Sequence, residues 1–479
     1  MKLKDYIIAC KHLLITVENL HDPEVTGICN DTRMLKAGDI FVAIEGTQVD
    51  GRNYINDAVA KGACAIVSKR CDSNISVPHL IVSDDYAAYS CMAEAFFDYP
   101  VKKLKSIAVT GTNGKTTTSY LTQHILKAAG YKPALIGTIS YLVCEDARPS
   151  DRTTPDAMLV QSLFADAVDR GCDSVVMEIS SHALHQRRMG TTKFNRAVFT
   201  NLTPEHLDYH ITMKAYYEAK KRLFTDYLAD NGQAIVNKDC RYGKYLLDEI
   251  DAVSFSIQES ADIDGRHYLS DLSGTEILLN GTRYRTHLVG AYNVANTIAA
   301  IGIAKSFAIS DDIIQQALFT FPGVPGRLQA VPNKISTHIF IDYAHSSDAI
   351  ENVLRAIKPL CEKRLICLFG CGGDRDKSKR PLMGRSACHY ADKVYISSDN
   401  PRTEDPQRII DDILEGIDGA KNVEIEIDRH RAIEKALFEL KTGDTLLVLG
   451  KGHEDFQEID GQKLKFNDFE ECREYLEKY

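Results

Sequence analysis

Val109-Thr110-Gly111-Thr112-Asn113-Gly114-Lys115-Thr116-Thr117 lies between an apolar run at residues 106–109 and a Thr-rich, apolar-periodic segment at 116–129 that stops at Gly130. The order is strand, glycine loop, helix. Glycines let the backbone curl until several N–H groups face one point, and the new helix adds its positive end there. Lys115 is placed to reach terminal phosphates, and the Thr116 hydroxyl to ligate Mg²⁺. The usual pattern carries a glycine where Val109 stands, so this is a tightened form of the loop.

The chain around this loop has 479 residues, which predicts about three domains. Hydrophobic content of 44% supports full cores, and a net charge of −10 with a pI near 5.9 argues against nucleic acid as the main partner. Local Arg and Lys clusters still permit an anionic substrate. Residues 1–20 interrupt their apolar positions with Lys4, Lys11 and His12, which fits neither a signal peptide nor a membrane span; a cytoplasmic protein with no membrane partner is expected. Thirteen scattered cysteines without C-x-x-C spacing read as small buried hydrophobes.

Upstream, residues 39–45, 65–68 and 79–83 read as strands and 53–61 as a helix. Asn30-Asp31-Thr32-Arg33 and Gly46-Thr47-Gln48-Val49-Asp50-Gly51-Arg52 flank one strand and are binding loops or ordinary turns. A helix at 84–97 ends before Tyr99-Pro100, a first domain boundary. Downstream come a strand at 134–139, a polar loop at 147–154 and a helix at 155–170 opened by Pro155. The strand at 173–179 ends in Glu178-Ile179-Ser180-Ser181-His182. Parallel sheets put ligand groups at such ends, so Glu178 is a candidate Mg²⁺ ligand or a buried structural acid. The strand at 196–201 runs into Leu202-Thr203-Pro204-Glu205-His206-Leu207-Asp208-Tyr209-His210, a polar cluster that is a site or a solvated turn. The helix at 213–227 carries Lys220, Lys221 and Arg222, on their own a solvated basic face. Residues 251–288 look β-rich, with turns at Asp264-Gly265 and Asn280-Gly281. In the next helix Asn293 and Asn296 share a face and meet a purine edge or cap the helix. Phe321-Pro322-Gly323-Val324-Pro325-Gly326-Arg327 is a stiff linker and second boundary. Beyond it strands and helices alternate as a doubly wound sheet. Four of its strand ends hold Asp342-Tyr343-Ala344-His345, Gly370 to Lys377, Asp399-Asn400-Pro401-Arg402 and Gly450-Lys451-Gly452-His453-Glu454, a shared ligand mouth.

The loop 110–117, the Glu178 to His182 segment, Asn201-Leu202-Thr203 through His210, Gly326-Arg327 and Asp342 to His345 together resemble the Mur ligase family over essentially the whole chain. The resemblance implies an α/β fold of three domains: a small α/β N-terminal domain (1–100) binding a UDP-sugar, a central P-loop ATPase-like parallel sheet (101–326) binding ATP, and a C-terminal Rossmann-like doubly wound sheet (327–479) binding an amino acid. It implies an ADP-forming ligase that phosphorylates a peptide carboxylate and lets an amine attack the acyl phosphate. Such chemistry depends on charge neutralisation and alignment.

Asp399 to Arg402 resembles the signature of members that add meso-diaminopimelate to UDP-N-acetylmuramoyl-L-Ala-D-Glu in peptidoglycan synthesis; lysine-adding members generally lack that Arg. The resemblance assigns Gly111, Thr112, Asn113, Gly114, Lys115, Thr116, Thr117, Asn293 and Arg327 to ATP. It assigns Thr116, Glu178, His206 and a carbamylated Lys220, not Lys221, to Mg²⁺, with Lys115, Lys220 and His206 catalytic. Asn30, Thr32, Thr47, Gln48 and Val49 match UDP-sugar contacts. Thr153, Thr154, Ser180, Gln186 and Arg188 match the muramoyl-dipeptide site, and Arg375, Asp399, Asn400, Pro401, Arg402, Gly450 and Glu454 the diaminopimelate site. A monomer is implied. The competing readings are a lysine-adding ligase, a folylpolyglutamate-type synthetase, whose members generally lack a counterpart of Asp31-Thr32-Arg33, and a P-loop ATPase that is not a ligase.

Overall fold

The computed structural model describes residues 1–46, 49–71, 75–417, 419 and 422–478, so Thr47 and Gln48 lie outside the described residues. The fold is α/β. It divides into two compact units, Met1–Asp264 with Asn296–Ile314, and Gly265–Ala295 with Gln315–Tyr479.

The first unit holds two sheets. The smaller runs Leu14–Glu18, His79–Val82, Ala65–Ser68, Asp39–Val42, Gly27–Cys29, all parallel except the first strand. Ile40, Val42, Val67 and Leu80 pack on one face with Ala88 and Met92 of the helix Asp85–Phe96. Phe41 and Ile66 pack on the other face with Ile55 and Ala58. Burial on both faces explains why these strands read as continuous apolar runs. The larger sheet has the order Ile263–Asp264, Val253–Ser256, Leu228–Asn237, Phe194–Phe199, Lys105–Thr110, Ser174–Glu178, Pro133–Ile136, Ser140–Val143, Asp146–Pro149. It is parallel through Pro133–Ile136. Lys105–Thr110, leading into the phosphate loop, sits between Phe194–Phe199 and Ser174–Glu178, so three candidate loops leave adjacent strand ends.

Two local expectations are corrected. Residues 147–154 are not wholly loop: Ser140–Val143 and Asp146–Pro149 form an antiparallel hairpin on the sheet edge, because Tyr141 and Val143 are buried in the core. Pro155 does not open the next helix, which is Ala157–Asp169; Asp156 caps it by accepting the Leu159 N–H at 3.2 Å, and a carboxylate at that position satisfies an otherwise orphan donor. The strand Leu228–Asn237 and the helix Arg241–Glu249 lie in a stretch for which no element was read.

The second unit carries a three-stranded antiparallel sheet, Tyr268–Asp271, Gly274–Leu279 and Thr282–Thr286. Its main sheet has the order Gln329–Ala330, His338–Asp342, Thr445–Leu449, Leu365–Phe369, Lys393–Ile396, Val423–Ile425, parallel after the first strand. Ile350, Leu354, Met383, Ile410 and Ile413 cover one face, and Ala432, Ile433, Ala436 and Cys472 the other. This is the doubly wound arrangement expected from the alternating pattern. Unforeseen are the helix Arg380–Tyr390, the hairpin Phe456–Ile459 with Gln462–Lys465, and the helix Asp468–Lys478. Among the described residues no helix is long and apolar enough to cross a membrane.

Candidate functional site

Two glycines shape the phosphate loop. Gly114 adopts φ +85°, and a Cβ there would lie 2.2 Å from Asn296 Oδ1; a Cβ on Gly111 would lie 1.9 Å from Thr200 Oγ1. The neighbouring strand end braces the loop. Thr112 N–H donates to Asn201 O at 2.9 Å, Asn113 N–H to Asn201 Oδ1 at 2.9 Å, and the Thr200 hydroxyl to Asn113 O at 2.6 Å. Thr112 and Asn113 therefore spend their N–H groups on the scaffold. The first turn of Lys115–Ala128 follows, and the N–H groups of a helix's first turn have no intrahelical acceptor and suit an anion.

Lys115 Nζ donates to Gly111 O at 2.9 Å and Thr112 O at 2.8 Å. Lys220 Nζ, from the helix Met213–Thr225, reaches the same Gly111 O at 2.8 Å and lies over the Tyr216 ring. Lys220 is 1% exposed, and burial, then the nearby charge of Lys115, pushes its amine well below the ordinary lysine range. Lys221 instead pairs with Glu249 and is shifted upward by it.

Glu178 is fully buried at the end of Ser174–Glu178. Its Oε2 accepts the Thr116 and Thr138 hydroxyls, each at 2.9 Å, and its Oε1 accepts Thr138 N–H at 3.0 Å. Thr116 and Glu178 thus meet, as a shared cation site requires. His206 lies beside His182, with ring centroids 4.8 Å apart. Burial first, then His206, lowers His182 to about 4. Among the described residues no three His, Cys, Asp or Glu side chains form a metal cage. A hydroxyl and one carboxylate beside a phosphate cradle nevertheless suit Mg²⁺, which is usually held by one or two carboxylates, waters and substrate phosphates.

The five residues matched to the dipeptide site converge on the same strand end. Thr154 Oγ1 donates to Glu178 O and accepts Ser180 N–H, each at 2.9 Å. The Thr153 and Thr138 hydroxyls are 3.0 Å apart. Arg188 Nη1 donates to Thr154 O at 2.5 Å, and its Nε and Nη2 fork onto Gln186 Oε1 at 3.0 and 2.6 Å. Asn30 and Val49 are exposed on loops after the strands Gly27–Cys29 and Asp39–Val42. Thr32 is buried, its carbonyl accepting Lys61 Nζ at 2.9 Å.

In the second unit Asn293 turns inward, donating to Val289 O at 2.9 Å. Arg327 lies over the Tyr343 ring, and its buried Nε has no hydrogen-bond partner among the described residues. Such an orphan donor marks a position that a ligand can satisfy. Asp342 fastens the linker by accepting Leu328 N–H at 2.7 Å and Ala344 N–H at 2.9 Å, and burial raises its carboxyl above the usual range. Gly450 at φ +113° accommodates Asp399, whose Oδ2 would be 2.7 Å from a Cβ there. Arg375 is exposed.

Asn400 is spent internally: Oδ1 accepts Lys451 Nζ at 3.0 Å and Glu458 N–H at 2.9 Å, and Nδ2 donates to Glu454 Oε2 at 2.8 Å. Fully buried Lys451 also holds Glu454 Oε2 at 2.9 Å. Lys451, between Gly450 and Glu454, and Thr138, behind Glu178, join these clusters without having been expected there. Lys451 had a signal, a lysine between two glycines at a strand end; Thr138 had none. Arg402 Nη1 donates to Gly373 O at 2.6 Å, and Pro401 O packs so close to Gly373 that a Cβ there would be 1.9 Å away.

Phosphate loop, buried acid and doubly wound second unit define a phosphate-loop enzyme with a separate polar site. Family models match in three consecutive pieces: the Mur ligase family catalytic domain at residues 24–95, the Mur ligase middle domain at 109–304 and the Mur ligase glutamate ligase domain at 326–452. The UDP-N-acetylmuramoyl-L-alanyl-D-glutamate--2,6-diaminopimelate ligase of Aquifex aeolicus is 43% identical over 94% of both chains. The ligase of the same name from Parabacteroides distasonis is 38% identical over 99% of both. A solved structure of a ligase of that name superposes with a TM-score of 0.71 at 32% identity, covering 95% of each chain. MurF ligase from Thermotoga maritima, solved in complex with ADP, shares the fold at 17% identity and a TM-score of 0.60, covering 95% of this chain and 97% of its own. The chain belongs to the Mur ligase family and is a ligase.

Proposed function

We propose that the protein is the ADP-forming ligase that uses ATP to join meso-diaminopimelate to the D-Glu carboxylate of UDP-N-acetylmuramoyl-L-Ala-D-Glu, acting as a cytoplasmic monomer in peptidoglycan precursor synthesis. The observation that carries the reading is the coexistence of the Thr116–Glu178 pair at the phosphate loop with Arg402 held on Gly373 O. Relatives bearing that activity's name at 38–43% identity support it.

In this reading residues 1–100 bind the UDP-sugar, 101–326 bind ATP and 327–479 bind the amino acid. The first-turn N–H groups and Lys115 hold the transferring phosphates. Asn293 and Arg327 contact the nucleotide. Mg²⁺, when bound, neutralises phosphate charge; Thr116 and Glu178 would hold one ion, and His206 with carbamylated Lys220 a second. Thr153, Thr154, Ser180, Gln186 and Arg188 orient the dipeptide so that its D-Glu carboxylate receives the phosphoryl group. The amine then attacks that acyl phosphate and phosphate leaves. Alignment and charge neutralisation carry the barrier reduction, with no covalent enzyme intermediate.

Meso-diaminopimelate differs from lysine by a carboxylate beside its distal amine. A guanidinium fork pairs with a carboxylate through two hydrogen bonds, and lysine would leave Arg402 without that partner. Phosphate release from ATP, measured with the UDP-dipeptide and either meso-diaminopimelate or L-lysine, tests the proposal. Turnover with diaminopimelate alone is expected. Turnover with lysine instead overturns the assignment of Asp399 to Arg402, and release indifferent to both amino acids means an ATPase that is not a ligase.

A further inference from the structure

Arg402 is gripped by the hairpin formed by Phe456–Ile459 and Gln462–Lys465. Its backbone is left-handed, φ +54°, a conformation uncommon for a non-glycine residue. Hydrogen bonds hold it: Arg402 N–H donates to Glu458 O at 3.0 Å, and Arg402 O accepts Asp460 N–H at 2.7 Å. The same strand is fastened to the two residues of the motif before Pro401. Gln457 Nε2 donates to Asp399 O at 2.7 Å, and Glu458 N–H to Asn400 Oδ1 at 2.9 Å.

The side chain is tied on the same side. Glu458 Oε2 lies 3.2 Å from Arg402 Nε, while Nη1 donates to Gly373 O at 2.6 Å. Nη2 makes no hydrogen bond among the described residues. Glu458 has a competing cation available, since Lys463 is its cross-strand neighbour, yet the Lys463 ammonium lies over the Phe456 ring. The Glu458 carboxylate therefore serves Arg402. A guanidinium bonded through Nη1 and ion-paired beside Nε presents its remaining Nη2 in one direction, and a side chain already ordered loses less freedom when a ligand binds.

We infer that Glu458 is a positioning residue: it orients Arg402 to receive the second carboxylate of a diamino-dicarboxylic acid substrate. The inference rests on the proposed reaction. It concerns selectivity between amino acids and does not place Glu458 in contact with substrate.

The test is steady-state kinetics of the full chain with ATP, UDP-dipeptide and meso-diaminopimelate. Glu458→Ala is expected to raise KM for diaminopimelate about tenfold, the lower end of what loss of an outer-shell partner costs, with little change in kcat and an unchanged KM for ATP. Glu458→Gln, which keeps the shape and an oxygen beside Nε but not the charge of the ion pair, restores part of the loss. In an Arg402→Lys background Glu458→Ala has no further effect, because two residues acting through one contact are not additive. An unchanged or lowered KM for diaminopimelate in Glu458→Ala overturns the inference, as does a full additional effect in the Arg402→Lys background. Glu458 is about one quarter exposed, and the KM for ATP reports whether the variant keeps its fold; if Glu458→Ala does not, equal KM values for Glu458→Gln and Glu458→Asp, which shortens the reach to Nε, overturn it. Wild-type enzyme that uses lysine in place of diaminopimelate sinks the reaction and the inference together. Wild-type enzyme that uses diaminopimelate, with an unmoved Glu458→Ala, sinks the inference alone.

Discussion

The helix Lys115–Ala128 is flanked by two glycines of nearly equal φ, Gly114 at +85° and Gly130 at +87°. Their surroundings differ. A Cβ on Gly130 meets nothing within 4 Å, whereas a Cβ on Gly114 meets Asn296 Oδ1 at 2.2 Å. Gly130→Ala should therefore cost only the left-handed penalty, about 1–2 kcal/mol. Gly114→Ala adds the displacement of Asn296. Ordinary contact begins near 3.4 Å, so the amide must retreat by more than 1 Å from a site where it is 6% exposed and bonded to Thr118. Stranding a buried amide costs a further ~1–3 kcal/mol. Thermal unfolding of the two alanine variants should place Gly114→Ala clearly below Gly130→Ala. Calorimetric titration should show ADP binding weakened about tenfold or more in Gly114→Ala, each ~1.4 kcal/mol being one decade, and unchanged in Gly130→Ala. Equal unfolding midpoints, or intact ADP binding in Gly114→Ala, would refute the reasoning.

Glu178→Gln keeps the shape but removes the charge beside Thr116; ligase turnover should fall by roughly 100-fold, as loss of one charge-stabilising group does, and shift to higher Mg²⁺ in a metal titration. Arg402→Lys retains a positive charge but loses the Nη1 bond to Gly373 and the fork. KM for diaminopimelate should rise by roughly 10–100-fold, one to two decades for one charged hydrogen bond lost, and an unchanged KM would count against the carboxylate role. His453 is lowered to about 4 by burial and then by Arg327, against the opposing pull of Glu454 and Asp455. Between that value and the ordinary 6.5 the unfolded chain binds the extra proton, so this contribution to stability is present above pH 6.5 and lost towards pH 4. His453→Asn should flatten the fall of the unfolding midpoint over that interval, and an unaltered pH profile would show that His453 does not carry it.

What the sequence made legible follows from periodicity and from local motifs. Buried parallel strands such as Asp39–Val42 and Leu365–Phe369 announce themselves as apolar runs, and the phosphate loop is a contiguous signal. The hairpin at Ser140–Val143 and Asp146–Pro149 was missed because an edge hairpin alternates burial and its second strand is polar. Site assembly was less legible than site membership. That Thr138 would share Glu178 with Thr116 depends on where a turn after Pro133–Ile136 lands, which no local pattern encodes. Asn400 belongs to a recognisable motif, yet its side chain serves Lys451 and Glu454, a role set by tertiary packing. The same holds for Glu458, which has no motif and acquires its place through a hairpin register.

Lys220 and Lys221 are adjacent in sequence and differ entirely in environment, and this difference yields the last prediction. Lys221 is ion-paired with Glu249, which keeps it charged. Lys220 is buried and shares the Gly111 carbonyl with Lys115. Two ammonium groups on one carbonyl in a buried site repel strongly, and both burial and Lys115 favour the neutral amine at Lys220. A neutral amine is the form that attacks the carbon of CO₂; with one proton released, the product would be an anionic carbamate, an oxygen ligand of the kind a hard divalent ion prefers. Protein equilibrated with ¹³C-labelled bicarbonate and Mg²⁺ should show one carbamate carbon resonance by NMR. That resonance should vanish in Lys220→Ala and persist in Lys221→Ala. A resonance lost from the Lys221 variant instead, or none in the wild type, would contradict the argument from burial.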